Sequence, residues 1–518
     1  MRTNLTKIPV VDLFAGPGGL GEGFASCTRE DGTDIFQSVV SIERDNSAHQ
    51  TLHLRHFLRA FPKGKFPDEY YEYLSGKISK QDLYDKYPTQ KKHADTSALK
   101  ISLGDEEANI VHEIIKKQIN GAEIWALVGG PPCQAYSLVG RSRMKNDPEF
   151  STDKRHFLYK EYLNIIAEHS PPVFVMENVK GLLSSKVGND FVIDMILADL
   201  KNPKKALNRE SSELEYKLYS LAGNSLPGMI EDPREFIVKA EEYGLPQARH
   251  RMFIFGVRSD FDIQPMRLTP KPKFTLKEVI GDLPVLRSGI SKGIDNHDNW
   301  HNIIKELCEK NYTFDGETEN KLDLFKSNMK DVYRKLSQKD AGRTNSKYPI
   351  RNKSNNEIFS LLHDPKLAVL TGHETRSHMP SDIQRYFFAS VFAQTFGRTP
   401  KLRDFPPFLL PSHKNVNAGR AGKMFSDRFR VQLENKPATT ITSHISKDGH
   451  YFIHYDPEQS RSLTVREAAR AQTFPDNYKF EGNRTSQYHQ VGNAVPVYLA
   501  KQIAGLVFDL LKKLESVS

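Results

Sequence analysis

Val10-Val-Asp-Leu-Phe-Ala-Gly-Pro-Gly-Gly-Leu-Gly21 decides how this chain folds. A short apolar, β-prone run breaks after Phe14 into a glycine-rich turn, and the order reads as strand, turn, helix. Inside it, Gly16-Pro-Gly-Gly-Leu-Gly21 satisfies G-x-G-x-x-G. A second predicted strand, Ser38-Val-Val-Ser-Ile-Glu43, ends on an acid, where a ribose hydroxyl would be gripped. Alone, the glycines fit a plain turn or a dinucleotide site. With a strand before them, a helix behind and an acid at the next strand end, they point to a nucleotide-like cofactor. The helix N-terminus would favour its carboxylate or phosphate.

Three more apolar runs read as strands: Ile124 to Gly129, Pro172 to Glu177 and Arg251 to Val257. Helical stretches lie between them, among them Leu158 to Ala167 and Phe191 to Leu200. Continuous apolar strands alternating with helices predict an α/β fold, a mostly parallel sheet covered on both faces. Residues 61–93, rich in Lys, Tyr, Asp and Pro, interrupt the pattern and read as a surface insertion. From about Pro265 the alternation fades, and residues 265–455 read as a second, irregular lobe. Order returns at 456–518. There Ser462 or Thr464 (with Glu467 three residues on) caps a helix, and Val497 to Leu514 forms an amphipathic one. The expected organisation is therefore 1–264, 265–455 and a returning segment 456–518.

Composition removes several function classes. With 518 residues, 38% of them hydrophobic, the chain can bury real cores. No apolar run reaches the length of about 18 residues that suggests a membrane span. The start, Met1 to Pro9, lacks the apolar stretch of a secretory signal. Three cysteines (Cys27, Cys133 and Cys308) exclude a disulfide framework and an all-cysteine metal cage, and fit a reducing cytoplasm. The net charge is +9, and residues 341–430 hold fifteen Lys and Arg against six Asp and Glu, so this one segment carries the whole excess. That predicts a polyanion-binding face, or else a merely solvated basic surface.

Reactive residue types gather at strand ends. Cys133 follows two prolines in Leu127-Val-Gly-Gly-Pro-Pro-Cys-Gln-Ala-Tyr-Ser137, at the carboxyl end of the third strand. Loop amides or nearby cations there would lower its pKa and make it a nucleophile, whereas most free cysteines are inert and buried. Glu177 closes an apolar strand, where a carboxylate is expensive unless used or paired; it is a candidate proton donor, or an ordinary loop acid. Gln247-Ala-Arg-His-Arg251 puts two guanidinium groups on one face of an extended segment, suited to an oxygen or carboxylate or simply to solvent. Asn493, in Gln490-Val-Gly-Asn-Ala-Val-Pro496, suits a close approach to a ligand, or a capping turn.

Asp12 to Gly19, Pro131 to Gln134, Glu177 to Val179, Gln247 to Arg251, Arg461 to Pro475 and Gly492 to Pro496, in this order, resemble the DNA (cytosine-5) methyltransferases. The resemblance implies the doubly wound, Rossmann-like fold of S-adenosylmethionine-dependent methyltransferases. It implies S-adenosyl-L-methionine as cofactor, no metal, and a flipped-out cytosine of double-stranded DNA as substrate. The unmatched basic lobe takes the place of the family's target-recognition region. Carried over residue by residue, Cys133 would attack C6 of cytosine. Glu177 would engage N3, and Arg251 with Arg249 would hold the base and steady Glu177. Phe14, Ala15, Gly16, Gly18, Gly19, Leu20, Glu43, Arg44, Asp105, Pro131, Asn493 and Ala494 would line the cofactor. Gln134, Ser137, Arg141, Arg143 and Lys145 would meet the DNA, with the loop from Tyr136 to Lys145 closing over phosphates.

Two positions depart from the family pattern or blur it. Arg44 stands where many members have an apolar side chain against the adenine, and the insertion blurs the register around Asp105. Three rivals compete with this reading. An RNA-modifying member would share every catalytic motif but need less of the basic lobe. A catalytically dead binding module would not keep Cys133, Glu177 and the arginines. A dinucleotide oxidoreductase would leave Cys133 and the lobe unexplained. The resemblance further implies a cytoplasmic, nucleoid-associated prokaryotic enzyme acting as a monomer, with a separate cognate restriction endonuclease as companion.

Overall fold

The structure is a computed structural model. It describes residues 7–104, 108–132, 158–187, 189–209, 215–223, 232–313, 319–336, 341–349, 356–411, 416 and 427–515. At its centre is an eight-stranded sheet. Strands β1 (Ile8–Leu13), β2 (Phe36–Ile42), β3 (Ala98–Leu99), β4 (Ala126–Gly129) and β5 (Val173–Val179) pair in parallel. Strands β6 (Tyr216–Ser220) and β7 (Ile237–Lys239) both pair with β8 (His250–Arg258), which runs antiparallel to β5. The spatial order is 3-2-1-4-5-8-6, with β7 also on β8. The chain winds outward from β1 in one direction and restarts at β4 in the other, so the crevice for a ligand lies outside the carboxyl ends of β1 and β4.

Both sheet faces are covered, which is why the strands read as unbroken apolar runs. Successive residues point to opposite faces. Val10, Val128, Val175 and Phe253 enter one core with Leu20, Phe24 and Phe57. Val11, Leu127, Phe174, Met176 and Ile254 enter the other with Ile115, Ile166 and Ile196. Each such side chain, taken out of water, contributes about 1.5–3 kcal/mol. Residues 61–93 are more than a surface insertion. They form three short helices, and their Tyr70, Tyr73, Leu83 and Tyr84 are buried in the first core.

The second lobe is more regular than its weak periodicity suggests. Helices His297–Glu309, Glu319–Leu336 and Pro380–Phe396 enclose a separate core of Trp300, Phe325, Phe388, Phe392 and Phe405. Pro380–Phe396 is buried almost all round, so it has no polar stripe to betray it. Several arginines of the basic segment are paired: Arg343 with Asp295, Arg385 with Asp382, Arg398 with Asp404 and Arg430 with Asp427. Of these acids only Asp295 lies outside residues 341–430, so the pairing leaves nearly all of that segment's net excess in place.

In the returning segment, Thr464 and not Ser462 is the cap of helix Val465–Ala471, with Glu467 completing the capping box. The Glu467 carboxylate is buried and receives the Arg461 guanidinium at 2.6 and 2.7 Å, which holds its pKa far below the usual range. The stretch Arg484–Leu514 is long and apolar enough to cross a membrane, but 72% of it is buried within the protein, as a core helix pair would be.

Candidate active site and cofactor pocket

A cavity of about 680 Å³ opens at the carboxyl ends of β1, β2, β4 and β5. One wall is the glycine turn. At Phe14 the backbone leaves β1 with φ 57°, a left-handed conformation unusual for a non-glycine residue and costing of order 1–3 kcal/mol. The Gly16 N–H donates to Glu43 Oε2 at 2.9 Å, and the Asp45 N–H donates to Glu43 Oε1 at 2.6 Å. Two amides thus pin the acid at the end of β2 against the turn. Burial raises its pKa, with both amides working the other way. A Cβ on Gly19 would lie 2.3 Å from the Val495 carbonyl oxygen, so the turn seats directly on the chain that follows Asn493. Phe14, Ala15, Gly16, Leu20, Glu43 and Arg44 line the cavity. So do Asn493 and Ala494 on the facing side.

The opposite wall carries Glu177 and two arginines. Glu177 on β5 and Arg251 on β8 lie on adjacent antiparallel strands, and Arg251 Nε stands 3.2 Å from Glu177 Oε1. Both side chains are about 15% exposed, enough to meet a ligand but largely shielded from water. Burial lowers the Arg251 pKa and the Glu177 charge raises it. The cysteine loop starts beside them. A Cβ on Gly130 would be 3.0 Å from Glu177 Oε2, and Asn178 Nδ2 donates to the Pro131 carbonyl at 3.3 Å. Pro131 and Pro132 line the same cavity.

Arg249 also reaches the cavity, but its environment differs from that of Arg251. It is 2% exposed, and Nη1 donates to the carbonyls of Ile441 at 2.7 Å and Gly492 at 3.3 Å. Burial and the charge of Arg251 lower its pKa, while Glu177 raises it. Its guanidinium ties chain segments together, which departs from a role spent wholly on the base.

Asp12 carries no site role in the sequence reading. It is fully buried on β1, and neither of its carboxylate oxygens accepts a well-formed hydrogen bond. Burial pushes its pKa up to about 7, against the pull of Arg59 and the Gly21 amide. Asn178 and Gln247 were likewise missed as individuals, although the motifs Glu177 to Val179 and Gln247 to Arg251 contain them. Cys133, Gln134, Ser137, Arg141, Arg143, Lys145 and Asp105 lie outside the described residues. Among the described residues, no group of three or more His, Cys, Asp or Glu could hold a metal ion.

Comparison with known proteins gives one consistent answer. Residues 89–508 match the family described as C-5 cytosine-specific DNA methylase. The type II methyltransferase M.Bpa9945I of Bacillus paralicheniformis is 32% identical over 97% of this chain and 99% of its own length. M.DdeI of Desulfomicrobium norvegicum is 26% identical over 96% and 87%. A crystal structure of an Escherichia coli prophage protein, described as a DNA modification methyltransferase, shares the fold. It has a TM-score of 0.51 at 21% identity, covering 98% of this chain and 100% of that one.

Proposed function

This chain belongs to the C-5 cytosine-specific DNA methylase family, a DNA (cytosine-5-)-methyltransferase of the type II restriction-modification kind, and from that premise we propose how its own residues carry the reaction. The Glu177–Arg251 pair supports the reading most directly. A carboxylate and a guanidinium 3.2 Å apart share one cavity with the glycine turn and with the two prolines that lead into Cys133.

The pocket suits S-adenosyl-L-methionine. Its glycine turn leaves open space at Gly16, where an added Cβ would meet nothing within 4 Å, and the amide-pinned Glu43 offers an acceptor beside it. Phe14, Gly16, Glu43, Pro131 and Asn493 would hold the cofactor. When bound, it supplies a methyl group on an electrophilic sulfonium. The thiolate of Cys133 adds to C6 of the flipped cytosine, forming the S–C6 bond and moving electron density to C5 and N3. Glu177 supplies a proton at N3, and Arg251 keeps Glu177 oriented. C5 becomes nucleophilic as a result. After C5 has been methylated, water takes the C5 proton, the S–C6 bond breaks with Cys133 leaving as thiolate, and N3 returns its proton to Glu177. Arg141, Arg143 and Lys145, on the loop from Tyr136 to Lys145, would close over the DNA phosphates, with Gln134 and Ser137 also meeting the DNA. The protein would work as a monomer on duplex DNA, with a cognate endonuclease acting separately.

Covalent trapping tests this reading. Duplex DNA with 5-fluorocytosine in place of cytosine should form a denaturation-resistant adduct with the wild-type protein and S-adenosyl-L-methionine, because fluorine blocks proton loss from C5. Cys133→Ser should bind the duplex without forming the adduct. An adduct of equal yield with the serine variant would refute the assignment of the nucleophile.

A further inference from the structure

Asn493 is the last residue of helix Arg484–Asn493, and the last carbonyls of that helix have no partner within it. They are held from outside. Gln472 Nε2 donates to the Val491 carbonyl at 2.7 Å and to the Ala494 carbonyl at 3.3 Å, and Arg249 Nη1 takes the Gly492 carbonyl between them. Gln472 Oε1 accepts from Gln247 Nε2 at 3.0 Å, and Gln247 Oε1 accepts from the Ile441 N–H at 2.7 Å. Both glutamines are fully buried.

The direction of this chain is forced at both ends. The Ile441 N–H can only donate, and the carbonyls of Val491 and Ala494 can only accept, so each amide has one permitted orientation. Ile441 lies just after Ala438–Thr439, which pairs in parallel with Gln247–Ala248. A Cβ on Gly492 would fall 2.3 Å from the Ser443 nitrogen, so the helix end rests on the Ile441–Ser443 segment without slack. Burying two amides is expensive unless they are fully bonded, and here they link Ile441 to the helix end that carries Asn493.

We propose that Gln472, with Gln247 behind it, is a positioning residue for the cofactor: it sets the helix end at Gly492–Ala494, and with it Asn493, according to where Ile441–Ser443 sits. The proposal rests on reading the pocket as the S-adenosyl-L-methionine site.

Gln472→Met keeps the volume and removes both donated bonds; Gln247→Met leaves those bonds and cuts the link to Ile441. In the full-length protein, Gln472→Met should raise the Kd for S-adenosylhomocysteine, measured by calorimetry, and the KM for S-adenosyl-L-methionine about tenfold. With unmethylated genomic duplex DNA, kcat at saturating cofactor should stay within about threefold and DNA affinity should be unchanged. Gln247→Met should shift the same two constants by about threefold. Wild-type cofactor affinity in Gln472→Met overturns the proposal, as does a fall in kcat with no change in KM. Should Gln472→Met fail to fold, wild-type affinity in Gln247→Met overturns it instead. Failure of the wild-type protein to bind S-adenosylhomocysteine would refute the reading of the pocket itself.

Discussion

Gly19→Ala adds one methyl group where the glycine turn beside the cavity packs on Ala494 and Val495. The new carbon would lie 2.3 Å from the Val495 carbonyl oxygen, 3.2 Å from the Val495 nitrogen and 3.3 Å from Ala494 Cβ. An ordinary carbon–oxygen contact is about 1 Å longer than the first of these, and the obstacle is backbone, which cannot swing aside like a side chain. Either the glycine turn or the Ala494–Val495 segment has to move. Overpacking of this kind costs about 1–3 kcal/mol, a fall of roughly 1–3 °C in the unfolding midpoint of a chain this long. Because Val495 follows Asn493 and Ala494 directly, the movement should also weaken S-adenosylhomocysteine binding about tenfold. Gly16→Ala is the matched control for stability alone, since its Cβ would enter the cavity itself. Its Cβ would meet nothing within 4 Å, so only its φ of +58° opposes the change, at about 1 kcal/mol. Differential scanning fluorimetry and calorimetric titration of both variants read the two effects. A Gly19→Ala protein with wild-type midpoint and wild-type cofactor affinity would refute the contact geometry.

Arg251→Met should lower kcat/KM by about 10²–10⁴ while leaving the Kd for S-adenosylhomocysteine within twofold, and Glu177→Gln should behave alike. Since the pair acts as a unit, the double variant should lose no more than the worse single one; additive losses would show independent roles. Acid should loosen the fold before any carboxylate pair breaks. Burial lowers the pKa of His373 and His454 to about 4 and that of His378 to about 3, so the unfolded chain takes up protons below pH 6.5 that the folded protein refuses. Stability therefore falls from pH 6.5 towards pH 4, by about 1.4 kcal/mol per histidine at pH 5.5. Asp12 opposes this. Its raised pKa of about 7 gives back about 2 kcal/mol between pH 7.5 and 5.5. The three histidines outweigh it, and the unfolding midpoint should drop over that interval; a flat or rising midpoint would contradict the balance.

Much of the fold could be read from residues alone where the physics is local. The strands announced themselves as unbroken apolar runs because a sheet buried on both faces needs apolar side chains at every position. The cap of helix Val465–Ala471 was narrowed to two residues, and the reciprocal bonds of Thr464 and Glu467 decided between them. Helix Pro380–Phe396 could not be read, because burial on all sides erases the periodicity that marks a surface helix. Charge counting in the same lobe located the basic excess but not its pairing, since only the folded chain shows that Arg385 faces Asp382 and Arg398 faces Asp404.

The candidate site divides along a similar line. Residue types in order were enough to mark the glycine turn, the acid at Glu43, the cysteine loop, Glu177 and the two arginines, because that chemistry depends on which functional groups exist. Three other features appeared only in the folded chain. Arg249 binds carbonyls 192 and 243 residues away, Asp12 is sealed without a well-formed hydrogen bond, and Gln247 and Gln472 join into one chain of amides. Each is a property of which backbone atoms end up within about 3 Å of a side chain. The sequence by itself determined the reaction class of this protein. The tertiary structure alone decided which of its polar residues face the pocket and which hold the pocket in shape, because buried hydrogen-bond partners are chosen by the packing of distant segments.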